Sequence, residues 1–289
     1  MSMTPEEIIK DINQLVSLPE VVIRANELLD SPTADAEEIG EVISHDPALS
    51  AQLLKLVNSA FYHLPTKIET ISRAITVVGL NELRSLIFAA TATETFQNLS
   101  PESIDMNAFW QRSVYCGLIA KKLSTVLLGG SGETMFLTGL LHDIGRLILY
   151  SQLPEQAQQI VSEAEKGQSS LAAVEEKVLG FSSAQLGSTL LESWELPQRL
   201  WEPVRFQTAP ENADDYQEEA TLLKVSLQIT NCVEPELKSG QPVQLGNLPK
   251  VEIHGLEIPR EQLELLISDA SVECFDVLMI VNPNAGMIF

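Results

Sequence analysis

Along most of the chain, apolar positions recur at a spacing of three and four, and polar start signals stand immediately before each run. Ile39, Val42 and Ile43 form one such stripe, and Leu49, Leu53, Leu56 and Val57 form another; this period predicts amphipathic helices that bury one face. The start signals are explicit. Thr4-Pro5-Glu6-Glu7 offers an N-cap hydroxyl, a proline at the first helical position and a glutamate able to reach back, which together make a capping box. Asp35-Ala36-Glu37-Glu38 and Ser182-Ser183-Ala184-Gln185 repeat the pattern, and Asp46 precedes Pro47 as an N-cap carboxylate. About fourteen helical segments can be read in this way. Only Val251-Glu252-Ile253 alternates like a strand. The predicted fold class is therefore all-α.

Breaks in the periodicity fall at residues 98–105, 209–219 and 234–259, which are polar and carry prolines and acids. They divide the chain into an expected N-terminal helical subdomain (1–100), a central helical subdomain (101–233), and a loop with a terminal helix (234–289). That helix is expected to start at Pro259-Arg260-Glu261 and run to about Ile280. There are no repeats and no low-complexity tract.

Length and composition narrow the picture. A chain of 289 residues can bury enough core to fold without disulfides or metal. Cys116, Cys232 and Cys274 are odd in number and far apart, which suits reduced core thiols rather than a metal or redox motif. The N-terminal segment MSMTPEEIIKDINQL is acidic where a secretory signal is basic, and no stretch reaches the roughly 20 uncharged apolar residues that span a bilayer. The expected location is cytoplasmic, without membrane contact. The net charge of −22 arises from 40 acids against 18 Lys and Arg, with acids in excess in each third of the chain. Such a surface repels a phosphate backbone, so nucleic acid is not an expected partner, even though the short helices near residues 49–56 imitate a helix-turn-helix in length.

One segment carries candidate chemistry: Phe136-Leu137-Thr138-Gly139-Leu140-Leu141-His142-Asp143-Ile144-Gly145-Arg146. A carboxylate in an apolar helix is costly unless it is paired or bound to a cation, so Asp143 needs a positive partner. A second His-Asp pair, His45-Asp46, precedes Pro47 and reads as a loop histidine followed by an N-cap. Arg146 reads as a surface side chain with a buried stem, its alternative use being a phosphate contact. Phe109, Trp110, Trp194 and Trp201 sit among helical apolar residues and are expected to anchor the core. Gly79, Gly139 and Gly145 read as turn or close-packing positions.

Six blocks in order carry a resemblance to a known family. They are LVSLPEVVIRANELLDSP, HDPALSAQLLKLVNSAFYHLP, ISRAITVVGLNELRSLIFA, the pair Phe109-Trp110, FLTGLLHDIGRLILY and LGFSSAQLGSTLLESWELP. Over roughly residues 12–280 the chain resembles the HDOD family, bacterial signalling relatives of HD-type metal-dependent phosphohydrolases. The resemblance implies an N-terminal helical layer packed on a degenerate HD-type helical domain. In HD hydrolases a His-Asp pair, an upstream His and a downstream Asp hold a metal that activates water. This chain departs from that pattern. Arg112 stands where the upstream His is expected, and an arginine cannot ligate a cation. Ser183 and the turn Arg205-Phe206-Gln207-Thr208 lack histidines that the family often carries, and the segment 221–227 has no Asp. His63 and His254 fall in loop-like contexts. The Gly-Tyr-Pro motif of the cyclic-dinucleotide phosphodiesterase relatives is absent.

The expected function is thus a non-catalytic signal-transduction or regulatory protein that acts through protein–protein contacts, with signalling proteins as partners and no cofactor. His142, Asp143, Arg112 and Arg146 would form a vestigial pocket in which Arg112 replaces the metal and contacts Asp143 directly or through one water, with His142 close by and uncharged. The alternative is a metal-dependent phosphohydrolase in which His142 and Asp143, the only metal-ligand candidates, do the work.

Overall fold

The computed structural model describes residues 3–12, 16–59, 62, 64–97, 99, 101, 104–130, 132–166, 170–234, 245–253 and 255–282. His63, His254 and parts of the expected breaks at 98–105 and 234–259 lie outside them. Among the described residues there are fifteen α-helices and one two-stranded hairpin, so the fold is all-α. The strand-like stretch is half of that hairpin: β1 (Glu252–Ile253) pairs antiparallel with β2 (Leu256–Glu257). No helix of the described residues is long and apolar enough to cross a membrane.

The start signals act as the sequence predicts. Thr4 and Glu7 exchange both bonds of a capping box, and Ser182 and Gln185 do the same. Asp46 accepts from the backbone amides of Ala48 and Leu49. Asp35 accepts from Glu37 and Glu38. Each cap satisfies amide donors that the first helical turn leaves free, at a value of about 1 kcal/mol.

The chain forms two units. The first, residues 1–16 and 96–258, contains α1 (Pro5–Ile12), α7 (Met106–Leu127), α8 (Glu133–Leu141), α9 (Ile144–Gln152), α10 (Pro154–Lys166), α11 (Leu171–Leu179), α12 (Ser183–Ser193), α13 (Gln198–Arg205) and α14 (Gln217–Val233). The second, residues 17–95 and 259–289, contains α2 (Glu20–Asp30), α3 (Ala36–Ser44), α4 (Pro47–Val57), α5 (Ile71–Val78), most of α6 (Leu80–Gln97) and α15 (Arg260–Val281).

This is not the linear division expected from the breaks. The buried residues Ile8, Ile9 and Ile12 place α1 against α12. Helix α15 packs on α4, and the Val281 carbonyl accepts from Thr93 Oγ1 on α6 at 2.6 Å. Burial of apolar faces, not proximity in sequence, decides which helices belong together.

Within the first unit, two glycine contacts bring helices closer than side chains permit. A Cβ added at Gly139 of α8 would stand 2.7 Å from the Gly117 Cα of α7. One added at Gly145 of α9 would stand 1.9 Å from the Ser183 carbonyl oxygen and 2.4 Å from the Gly187 amide nitrogen of α12. Both neighbours are backbone and cannot swing aside, so these glycines are close-packing positions. Gly79, with φ of 88° at the end of α5, is the turn.

Elsewhere, buried Glu202 pins the loop ahead of α14: its Oε1 accepts from the amides of Asp214 at 2.6 Å and Asp215 at 2.9 Å. Burial pushes this carboxyl up, but those bonds and one from Gln198 outweigh it and hold it below the usual range.

Gly145→Ala is expected to destabilise the protein by about 1–3 kcal/mol or more, because the methyl must force α9 from α12. Gly246→Ala, where an added Cβ meets nothing within 4 Å, should change stability by no more than about 0.5 kcal/mol. Urea unfolding midpoints compare the two. Equal midpoints would contradict the close α9–α12 contact.

Candidate functional site

The run FLTGLLHDIGRLILY, read above as a single apolar helix, is two helices. Helix α8 ends at Leu141, His142 is its C-cap, and Asp143 (φ −115°, ψ 8°) stands at the N-cap of α9. The His-Asp pair therefore lies at a helix junction, where the backbone turn exposes both side chains to one cavity. The imidazole is oriented by its own helix: a carbonyl can only accept, so Nδ1–H donates to Gly139 O at 2.6 Å. The His142 carbonyl in turn accepts from Gln207 Nε2 at 3.1 Å.

The cavity has a volume of about 360 Å³ and is lined by residues from five helices and the turn after α13. Arg112 comes from α7, Asp143 and Arg146 from the start of α9, Glu175 from α11, Ser183 from the first turn of α12, and Lys224 from α14. All four residues that the sequence assigned to a vestigial pocket line this one cavity. His45, the decoy, is exposed at the end of α3.

A direct ion pair between Arg112 and Asp143 is not found among the described residues. Arg112 was expected to reach Asp143, yet its Nη1 donates to the Glu234 carbonyl at 2.6 Å. Glu234 is the C-cap of α14, and the unsatisfied carbonyls at a helix C-terminus attract a cation. Asp143 is instead paired with Arg146, Nη1 to Oδ2 at 3.2 Å, one helical turn along α9. Arg146 is thus no surface residue: its side chain is 15% exposed, against 8% for Asp143.

Glu175 is the residue that the sequence reading missed. It is 1% exposed, and its Oε2 accepts from the Ser183 amide at 2.7 Å and the Ser183 hydroxyl at 2.9 Å. Burial pushes its carboxyl up, nearby Arg146 and the Ser183 bonds draw it partly back, and Asp143 adds to the rise. A signal for it exists in the sequence. Leu171, Val174 and Glu175 fall at i, i+3 and i+4 and are the buried residues of α11, so a glutamate occupies the apolar stripe.

Beneath the pocket, burial pushes the Cys116 thiol up to about 12, with Arg112 acting to lower it and Asp143 to raise it. Cys116 and Cys274 are buried, whereas Cys232 is half-buried and outside the core expected for it; all three are free thiols. Phe109, Trp110 and Trp194 are core anchors, the first two packed edge to face, and the Trp194 indole donates to the Val16 carbonyl at 3.1 Å. Trp201 is not. It is half-buried and carries the Arg205 guanidinium 4.9 Å from its ring centre.

The donor set does not fit a catalytic metal. Such a site takes about three protein ligands and an open position. Here His142 and Asp143 are joined by cationic Arg112, Arg146 and Lys224, Asp143 is engaged by Arg146, and Glu175 by Ser183. Among the described residues no group of three or more His, Cys, Asp or Glu side chains is placed to hold a metal ion.

The family model described as the HDOD domain matches residues 15–210, more than half of the chain, and the protein belongs to the HDOD family. Two relatives are an uncharacterized protein of Treponema pallidum (strain Nichols), 25% identical over 211 residues covering 71% of this chain, and the uncharacterized protein YuxH of Bacillus subtilis (strain 168), 30% identical over 142 residues covering 47%. The chain matches only 40% and 32% of the lengths of these relatives.

Among solved structures, the fold is similar to that of a protein of Shewanella amazonensis SB2B named "putative phosphohydrolase" (TM-score 0.75, 23% identity, 95% of this chain and 97% of that one). It is also similar to an HDOD domain protein of unknown function from Geobacter sulfurreducens (TM-score 0.71, 18% identity, 98% and 99%). A third similar structure, from Marinobacter aquaeolei VT8, is named "putative signal transduction protein" (TM-score 0.68, 21% identity, 94% and 60%).

Because Glu175 holds its proton more tightly in the folded state, its contribution to stability is greatest below its ordinary value of 4.5. That contribution falls as pH rises from there through the folded value. Glu175→Gln removes this dependence while keeping an oxygen for Ser183. Urea unfolding from about pH 4 to about pH 8 should therefore show the variant gaining on the wild type as pH rises. A constant difference across that range would mean that Glu175 titrates alike in both states.

Proposed function

We propose that this HDOD protein is a non-catalytic component of signal transduction that acts through contacts with other proteins and uses its HD-type pocket without a metal. The observation that carries the reading is the counter-charge of Asp143: Arg146 stands 3.2 Å from it, with Arg112 and Lys224 in the same cavity. A divalent cation entering there would meet three like charges against two carboxylates, Asp143 already paired with Arg146 and Glu175 hydrogen-bonded to Ser183, so the net charge of the cavity disfavours it. Water activation in this superfamily's manner needs the metal, so a site that repels it has no evident nucleophile.

Two further features support a protein-contact role. Leu265, Val272 and Phe275 on α15 are 66%, 75% and 60% exposed, and their spacing of seven and three residues puts them on one helical face. Exposed apolar groups gathered in this way mark contact surfaces more often than isolated ones do. The Marinobacter protein of similar fold carries a signal-transduction name. The other reading, a phosphohydrolase using His142 and Asp143, draws on the name of the Shewanella protein and on the retained pair.

Turnover separates the two. Nucleotides, cyclic dinucleotides and simple phosphomonoesters, offered with Mn²⁺, Fe²⁺, Mg²⁺ or Zn²⁺, should be hydrolysed no faster by wild type than by His142→Ala, and dialysed protein should hold no stoichiometric metal. Turnover that Asp143→Ala or His142→Ala abolishes would establish the enzyme instead.

A further inference from the structure

The charge in the cavity is unusual for this chain. Acids outnumber Lys and Arg 40 to 18 overall, yet the cavity gathers Arg112, Arg146 and Lys224 against Asp143 and Glu175. Arg146 is paired with Asp143. Arg112 bonds a neutral carbonyl, and neither it nor Lys224 has a carboxylate within ion-pair distance among the described residues. Three cationic side chains against two carboxylates leave the cavity with an excess of positive charge among the described residues, an arrangement that costs free energy until an anion enters. Two of the residues that line the cavity carry buried acceptors without partners. Glu175 Oε1 and Gln207 Oε1 have no hydrogen bond, although their residues are only 1% and 7% exposed. The bond from Gln207 Nε2 to the His142 carbonyl leaves the oxygen as the amide's unpartnered end. A buried polar atom left in this state costs about 1–3 kcal/mol, so a ligand able to donate to it is stabilised.

We propose that the pocket binds a small phosphorylated metabolite directly, without a metal. Its phosphate would lie between Arg112, Lys224 and Arg146, and a hydroxyl or amino group of its organic part would donate to Glu175 Oε1 and Gln207 Oε1. Arginine forks suit the paired oxygens of a phosphate, and an anion matches the cavity's excess of cationic over carboxylate side chains. A volume of about 360 Å³ lies at the small end of ligand cavities and suits a sugar phosphate or nucleoside monophosphate rather than a dinucleotide. Binding of this kind gives the non-catalytic protein of the previous section a chemical input, and the inference rests on that metal-free reading.

The test is isothermal titration of the full chain with inorganic phosphate, ribose 5-phosphate and adenosine 5′-monophosphate, each run with excess EDTA and again with excess Mn²⁺. Ribose and adenosine serve as unphosphorylated controls. At least one phosphorylated probe should bind in EDTA with a Kd of about 1 mM or tighter, and about tenfold or more tightly than its control. Arg112→Gln and Lys224→Gln should each weaken it about tenfold, the loss expected of one charge-assisted contact. Lys250→Gln, at an exposed lysine paired with Glu252 and Glu257 outside the cavity, should not. Thermal unfolding of each variant confirms that it folds. No binding by any probe in either buffer, or binding that ignores both Arg112→Gln and Lys224→Gln, overturns the ligand inference and leaves the non-catalytic reading standing. Binding only with Mn²⁺, or hydrolysis of a probe during the titration, overturns the metal-free reading itself.

Discussion

Two carboxylates removed from water at the centre of a helical unit must find positive charge, and the site is arranged around that need. Asp143 and Glu175 are 7% and 1% exposed, and a buried ionised carboxylate without compensation costs several kcal/mol. Arg146 stands 3.2 Å from the first, and its charge acts on the second. Ser183 supplies two further donors to Glu175. The acid residues, the arginine and the serine come from three helices, so the electrostatic solution holds only if those helices keep their spacing.

The glycines set that spacing. Gly145 lets the first turn of α9 approach the first turn of α12 to backbone distance, which carries Arg146 and Ser183 to the same cavity. Gly139 packs against Gly117 and offers the carbonyl that orients His142. On the opposite wall, Arg112 caps the C-terminal end of α14 through Glu234 while α14 contributes Lys224. The result is a pocket in which Arg112, Arg146 and Lys224 stand beside His142, Asp143 and Glu175, a donor set that does not fit a catalytic metal.

Local signals in the sequence were reliable wherever the physics is local. Caps at Thr4, Asp46 and Ser182, the apolar stripes, and the start of α15 depend on neighbours within four residues and were readable. The pocket was legible through His142 and Asp143, and the resemblance placed Arg112 beside them. Which partner Arg112 takes was not legible, since its acceptor lies 122 residues away and competes with Asp143 by geometry alone. Arg146 was misread because a long side chain on an apolar helix can as easily turn to solvent. The grouping of α1 and α15 also depends on contacts between distant segments. Glu175 was readable in principle from its place on the apolar stripe of α11.

The central claim is that Arg146 serves Asp143 as the cation that a metal would otherwise supply. A double-mutant cycle of Asp143→Asn and Arg146→Gln in urea unfolding at neutral pH measures it directly. Either substitution alone breaks the buried ion pair and should cost about 3–5 kcal/mol, with the double variant losing clearly less than the sum and a coupling energy above about 1 kcal/mol. Additive losses, agreeing within about 0.5 kcal/mol, would contradict the account.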